Sequence, residues 1–191
     1  MELFLASSNK HKFHEMSILL KGFGVSLKRK RLELFEPDSA SLEETAKFKA
    51  KQAFEKIKKP VIAEDTGVFF EAYRDFPGPL AKRVFLGIGF EGLLALIKSA
   101  RNRKAFFRTV VCFFDGKKFK TFSGKMNGTL LSRAVSVHKD RLPYEKLFVP
   151  QGFTKALVDL SIDEKNRISH RATATRKLGK WLASKAKKGG K

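Results

Sequence analysis

Apolar and polar positions follow two periods along the chain, and the changes of period divide it into elements. Leu3-Phe4-Leu5 is a short buried run that predicts a strand over 2–7. The polar stretch Ser7 to Lys12 breaks it, and Phe13, Met16, Leu19 and Leu20 then share one helical face, which ends at Gly22 or Gly24. A second strand is expected over 25–34, and its basic middle, Lys28-Arg29-Lys30-Arg31, puts it on the surface or at a sheet edge. Ser41-Leu42-Glu43-Glu44 reads as a capping box opening a helix that carries Leu42, Ala46, Ala50, Ala53, Phe54 and Ile57 on one face and stops before Pro60. Residues 80–98 read as a helix in two pieces, broken near Gly87-Ile88-Gly89. Residues 105–114 and 117–123 read as a hairpin around Asp115-Gly116. A further short strand is expected over 124–131, where Gly124 and Gly128 mark a bulge or a close backbone approach. Residues 132–146 read as a loop, 147–150 as a short strand and 161–164 as a helix start, and Ala174, Leu178, Trp181 and Leu182 line a last helix. Helices alternate with strands early and a hairpin follows late, which gives an α/β chain with a mixed rather than purely parallel sheet.

One stretch stands apart. In Val61 to Phe70 an apolar run enters, Glu64 and Asp65 follow with Thr66 and Gly67, and an apolar run leaves. Carboxylates are costly to bury unpaired. The stretch is therefore either a polar Asp-Thr-Gly turn or a metal-binding and base-supplying site at a strand end. Asp75-Phe76-Pro77-Gly78-Pro79 beyond it reads as a rigid loop.

Composition narrows the class. A chain of 191 residues that is 42% hydrophobic can bury a sizeable core. Phenylalanine is heavy at 19, which suggests an aromatic core with ring faces left for a ligand. The lone Cys112 rules out an internal disulfide and reads as a buried thiol, and no Cys/His spacing suggests zinc. The N-terminus lacks the pattern of a signal peptide and no run is long enough to span a membrane, so a cytoplasmic protein is expected. The formal charge of +21 attracts polyanions, nucleic acid and nucleotide phosphates alike, or reflects a lysine-rich surface alone.

The remaining polar oddities share a chemistry. Asn9 and Lys12 follow the first strand, Glu33 and Glu36-Pro37-Asp38 sit in a loop, and Lys165, His170 and Arg171 lie near the end. Acids can hold Mg²⁺ through a few oxygens, cations can clamp a triphosphate, and an acid beside the metal can orient water for attack on phosphorus. Small residues before a helix N-terminus suit a phosphate.

In combination and order, the stretches LFLASSNKHKFHEM, SLEETAKFKAKQA, PVIAEDTGVFFEA with FPGPLAKRV, FSGKMNG, and YEKLFVPQG running on to DEKNRISHRATA resemble the non-canonical purine NTP pyrophosphatases, or inosine triphosphate pyrophosphatases, and most of all their archaeal branch. The resemblance covers residues 2–182. It implies an elongated mixed sheet, parallel and antiparallel, flanked by helices, in two lobes with a central cleft, over a single domain of residues 1–184; the residues beyond, 185–191, read by their own composition as a basic, disordered tail. It implies a homodimer and Mg²⁺-dependent hydrolysis of ITP, dITP or XTP to the monophosphate and pyrophosphate. By the same resemblance Asp65 activates water and binds metal with Glu36 and Glu64. Ser7, Ser8, Asn9, Lys12, Thr66, Lys49, Lys82 and Arg83 hold phosphates, and Lys165, His170 and Arg171 contact the base and sugar.

Three departures from the family pattern bear on those roles. SSNKHK stands where the family has Thr-Gly-Asn and then Lys. Without a gap, Pro37 falls where the family keeps Glu, beside Glu36. Leu142-Pro143-Tyr144-Glu145 stands where the family has Phe, a small residue, an aromatic and Asp, so a base-stacking ring is missing at Leu142, with Tyr144 and Glu145 left on the base side. Two other readings follow: a catalytically altered, basic nucleic-acid-binding protein on the same fold, or a pyrophosphatase of broader nucleotide specificity.

Overall fold

The strand β1 (Glu2–Ala6) lies between two parallel neighbours that the chain reaches by opposite routes. Helix α1 (Lys10–Lys21) returns it to β2 (Ser26–Lys30) on one side, and α2 (Leu42–Ile57) carries it back across to β3 (Val61–Phe70) on the other. The carboxyl end of β1 is therefore a switch point, where the connections part to opposite faces and leave a crevice. In the computed structural model, residues 1–37 and 41–189 are described, the side chains of 187–189 excepted. Asp38, part of the acidic loop expected from the sequence, lies outside them, as do residues 190–191.

The rest of the sheet is antiparallel. β4 (Phe76–Gly78) folds back on β3, α3 (Ala81–Ser99) follows, and β5 (Lys104–Phe114), β6 (Phe119–Leu130) and β7 (Phe148–Pro150) extend the order to β2-β1-β3-β5-β6-β7. α4 (Ile162–Ile168) and α5 (His170–Gly189) close the chain. The mixed sheet flanked by helices is as the sequence implies. So are the capped start of α2 at Ser41, the hairpin at Asp115-Gly116, the helix start at Ser161 and the break in α3, where Gly89 leaves helical geometry at φ 59°.

Besides β2, which stops at Lys30 short of the expected 25–34, four boundaries differ from expectation. β3 runs straight through Asp65-Thr66-Gly67, because their backbones pair with Val110, Thr109 and Arg108 of β5, and the ladder overrides the turn preference of the three residues. β6 is one strand to Leu130, since Gly124 and Gly128 mark close approaches and not a break: a side chain at Gly124 would strike the His170 carbonyl, and one at Gly128 the Val149 carbonyl. The loop at 75–79 contains β4. The tail expected to be disordered from 185 is helical as far as Gly189.

Three apolar clusters hold the layers together. On one face, Leu3, Leu5, Met16, Leu20, Ile62, Val111, Phe113 and Leu178 pack under α1 and α5. Farther along β3 and β5, Val68, Phe70, Phe107, Leu93, Ile97 and Phe148 pack under α3. On the opposite face the small residues Ala46, Ala50 and Ala53 bring α2 against Phe4, Val61, Ala63, Val110 and Cys112. Each fully buried Leu or Phe contributes roughly 1.5–3 kcal/mol. Between the first two clusters the same-face positions are Glu64 and Thr66 on β3 and Thr109 on β5, so a polar belt crosses the sheet where two cores meet.

Candidate active site

β1 stops pairing with β3 at Ile62, so Glu64, Asp65 and Thr66 stand beside the loop that leaves β1. Side chains alternate along a strand, and the two carboxylates consequently enter different layers. Glu64 points to the α1 and α5 side. Its carboxylate is almost wholly buried, with Lys12 Nζ on Oε1 and Arg171 Nε 3.2 Å from Oε2, and Thr66 Oγ1 donates to Oε2 at 3.0 Å. Burial would raise its pKa, but Lys12 and Arg171 outweigh burial and hold it well below the usual carboxylate range. Arg171 also donates to Glu15 Oε2 at 2.6 Å, and its Nη2 has no partner. Glu15 was not singled out from the sequence. Its signal is its place one turn after Lys12, on the flank of the apolar face of α1.

Asp65 points to the α2 side. Burial pushes its carboxyl up to about 6, offset only in part by Lys49 and Lys12. Lys49 Nζ lies 3.5 Å from Asp65 Oδ1 and 2.9 Å from Glu36 Oε1, bridging the two acids. Burial would lower the Lys49 ammonium, yet Asp65 and Glu36 raise it, so it stays charged. Lys82 approaches Glu36 Oε2 at 3.7 Å. Glu36, Asp65, Lys82 and Arg83 line a pocket of about 250 Å³ closed on one side by Pro79 and Leu80. Among the described residues no three Asp, Glu, His or Cys side chains form a closed metal cage. Glu36 and Asp65 nonetheless bring hard oxygen donors to one pocket, which suits Mg²⁺, an ion usually held by one or two carboxylates together with water and phosphate oxygens.

The β1–α1 loop is built around its cap. Asn9 Oδ1 accepts from the backbone N–H of His11 and Lys12, and Asn9 N–H donates to Ser7 Oγ. Ser8 is exposed, and its carbonyl accepts from Arg29. Lys12 is thus held at the crevice by a capped first turn. The helix dipole adds positive charge there.

Across the polar belt, Glu145 and Lys165 form a buried pair at 2.5 Å. His170 is buried, stacked on Phe107 with centroids 5.0 Å apart, and its Nδ1 lies 2.6 Å from Thr109 Oγ1. Burial, then the neighbouring Arg171, lowers its pKa well below the ordinary histidine value. Thr109 was likewise not singled out. Tyr144 does not join the group: its ring packs against Phe70 and Phe85 and its hydroxyl donates to the Ala81 carbonyl. Leu142 is half-buried just before Tyr144. The fold thus gathers Lys12, Glu64, Thr66 and Arg171 on one face of β3 and Glu36, Lys49, Asp65, Lys82 and Arg83 on the other.

Comparison with known proteins agrees with this architecture. The sequence profile of the Ham1 family matches residues 3–181. The dITP/XTP pyrophosphatase of Hyperthermus butylicus is 35% identical over 181 residues, 94% of each chain. That of Methanopyrus kandleri is 36% identical over 182 residues, 95% of this chain and 96% of that one. The solved structure of a HAM1 protein from Coxiella burnetii superposes with a TM-score of 0.83 at 23% identity, covering 96% of this chain and 99% of that one.

Proposed function

The chain belongs to the Ham1 family, and on that premise we propose that it hydrolyses purine nucleoside triphosphates to the monophosphate and pyrophosphate, with ITP, dITP and XTP as the preferred substrates. The observation that carries the reading is Asp65: a half-buried carboxyl beside Lys49, in a pocket it lines with Glu36, Lys82 and Arg83, and pushed up by burial to about 6. A general base works best with a pKa close to the operating pH. In this reading a water beside Asp65 gives it a proton as its oxygen attacks the α-phosphorus, the bond to the bridging oxygen breaks, and pyrophosphate leaves. Glu36 and Asp65 would hold Mg²⁺, which would supply charge neutralisation on the phosphate oxygens. Lys12, Lys49, Lys82 and Arg83 bind the phosphates, and the Ser7–Asn9 loop shapes the entry. Glu64, engaged by Lys12 and Arg171, orients those cations. Lys165, His170 and Arg171 face the base and sugar, where Arg171 Nη2 is a buried donor still without a partner.

The test is pyrophosphate release from ATP, GTP, ITP, dITP and XTP, with Mg²⁺ and with EDTA. Turnover of the 6-oxopurine substrates that EDTA abolishes is expected. No turnover of any purine triphosphate would sink the proposal.

A further inference from the structure

β5 turns Ala105, Phe107, Thr109, Val111 and Phe113 to one face, and Thr109 alone among them is polar. It is fully buried and lies directly opposite Thr66 in the ladder. Its hydroxyl is 2.5 Å from Thr66 Oγ1 and 2.6 Å from His170 Nδ1, and Thr66 Oγ1 is 3.0 Å from Glu64 Oε2. Three buried groups and the half-buried Thr66 thus form one hydrogen-bonded line from β3 to the start of α5.

The direction of that line follows from the donors available. Each hydroxyl has one proton to give. Glu64, between Lys12 and Arg171, is a carboxylate and only accepts. A bond to a charged acceptor is roughly twice as strong as a neutral one, so the Thr66 proton goes to Glu64. Thr66 then accepts from Thr109, and Thr109, its proton given, accepts from His170 Nδ1. The opposite direction would set a Thr66 lone pair against the carboxylate. Burial and the adjacent Arg171 keep the imidazole neutral, so it carries a single proton.

We propose that Thr109 is a positioning residue that completes this line, fixing His170 as the Nδ1–H tautomer and leaving its Nε2 as a hydrogen-bond acceptor. Phe107, two residues earlier on the same face, holds the ring plane by stacking at 10°. The line makes the acid on β3 set the donor pattern of a histidine on α5 without touching it. Resting on the proposed function, the ligand that meets Nε2 is one that offers an N–H there, as the protonated N1 of a 6-oxopurine does and the bare N1 of adenine does not.

The test is ¹⁵N spectroscopy of ¹⁵N-histidine-labelled protein without nucleotide. The chain has four histidines, and loss of one signal pair in His170→Gln assigns His170. The expected spectrum has Nδ1 protonated and Nε2 bare across neutral pH. Thr109→Ser retains it, and Thr109→Val, which keeps the shape and loses the hydroxyl, shifts the ring towards Nε2–H. A wild-type ring protonated at Nε2, or an unchanged spectrum in Thr109→Val, would overturn the proposal. If the valine variant does not fold, the wild-type and serine spectra still decide it. In turnover, Thr109→Val is expected to raise KM for ITP about tenfold, the equivalent of one hydrogen bond, with little change in kcat and with rescue by serine; an unchanged KM counts against the role. Absence of turnover in the wild type refutes the proposed function and leaves the spectroscopic result standing.

Discussion

Glu64 and Asp65 are adjacent in sequence and opposite in circumstance. The first lies between two cations in the layer under α1 and α5, and its proton is lost well below the usual range. The second faces a pocket under α2, where burial outweighs Lys49 and holds its carboxyl near pH 6. The backbone does this with no special geometry: a strand sends successive side chains to opposite faces, so two like residues meet two solvents. A pair of acids can therefore divide structural and chemical roles within a single peptide unit.

The widest break in that comparison comes at Asp65. Asp65→Asn is expected to lower kcat for a purine triphosphate by about 10²–10⁴-fold, the range for loss of a general base, while circular dichroism reports an intact fold. Undiminished turnover would remove Asp65 from its role. Glu64→Gln acts on the other face and on folding: it leaves Lys12 without its carboxylate and Arg171 with Glu15 alone. Breaking a buried pair costs roughly 3–5 kcal/mol, to be read from urea unfolding.

Metal-free protein sharpens the contrast through pH. The Asp65 carboxyl is raised from its ordinary value, so the folded state binds its proton more tightly than the unfolded chain. That makes ionised Asp65 unfavourable to folding: the cost is absent below about pH 4, grows towards pH 6 and is constant above, at most about 3 kcal/mol for two pKa units. Glu64, shifted the other way, stabilises above its unfolded value and loses that contribution only as the solution becomes strongly acid. Unfolding free energy in EDTA is expected to fall for wild type between pH 4 and 6, and Asp65→Asn to remove that fall. The smallest effect belongs to the exposed Lys10–Asp140 contact at 3.0 Å. Lys10→Ala is expected to leave the urea unfolding midpoint unchanged, which sets the scale for ion pairs outside the belt.

The sequence carried the layers well because periodicity reports burial. The helical faces of α1 and α2, the helix start at Ser161 and the Asp115-Gly116 hairpin are local signals, and each is found where its residues predict. Asp65-Thr66-Gly67 misled for a physical reason: turn propensity is local, whereas the partner strand that holds these residues extended lies more than forty positions away. Thr109 escaped notice for a similar reason. A threonine is ordinary in a strand, and only the apolar identity of its same-face neighbours, together with a histidine distant in sequence, makes it unusual. Tyr144 shows the reverse error, since an aromatic in the right motif can belong to the core and not to a ligand.

The basic run on β2 has a consequence of its own. β2 ends the sheet, with one side bound to β1 and no strand beyond it among the described residues. A bare strand edge is a template on which another chain can add itself, and charged side chains are a common guard against it. Lys28, Arg29 and Lys30 stand along that edge and Arg31 just past its end, all exposed, so a second molecule approaching in register would bring like charge against like. Part of the large positive charge thus keeps copies of this sheet from growing into one another.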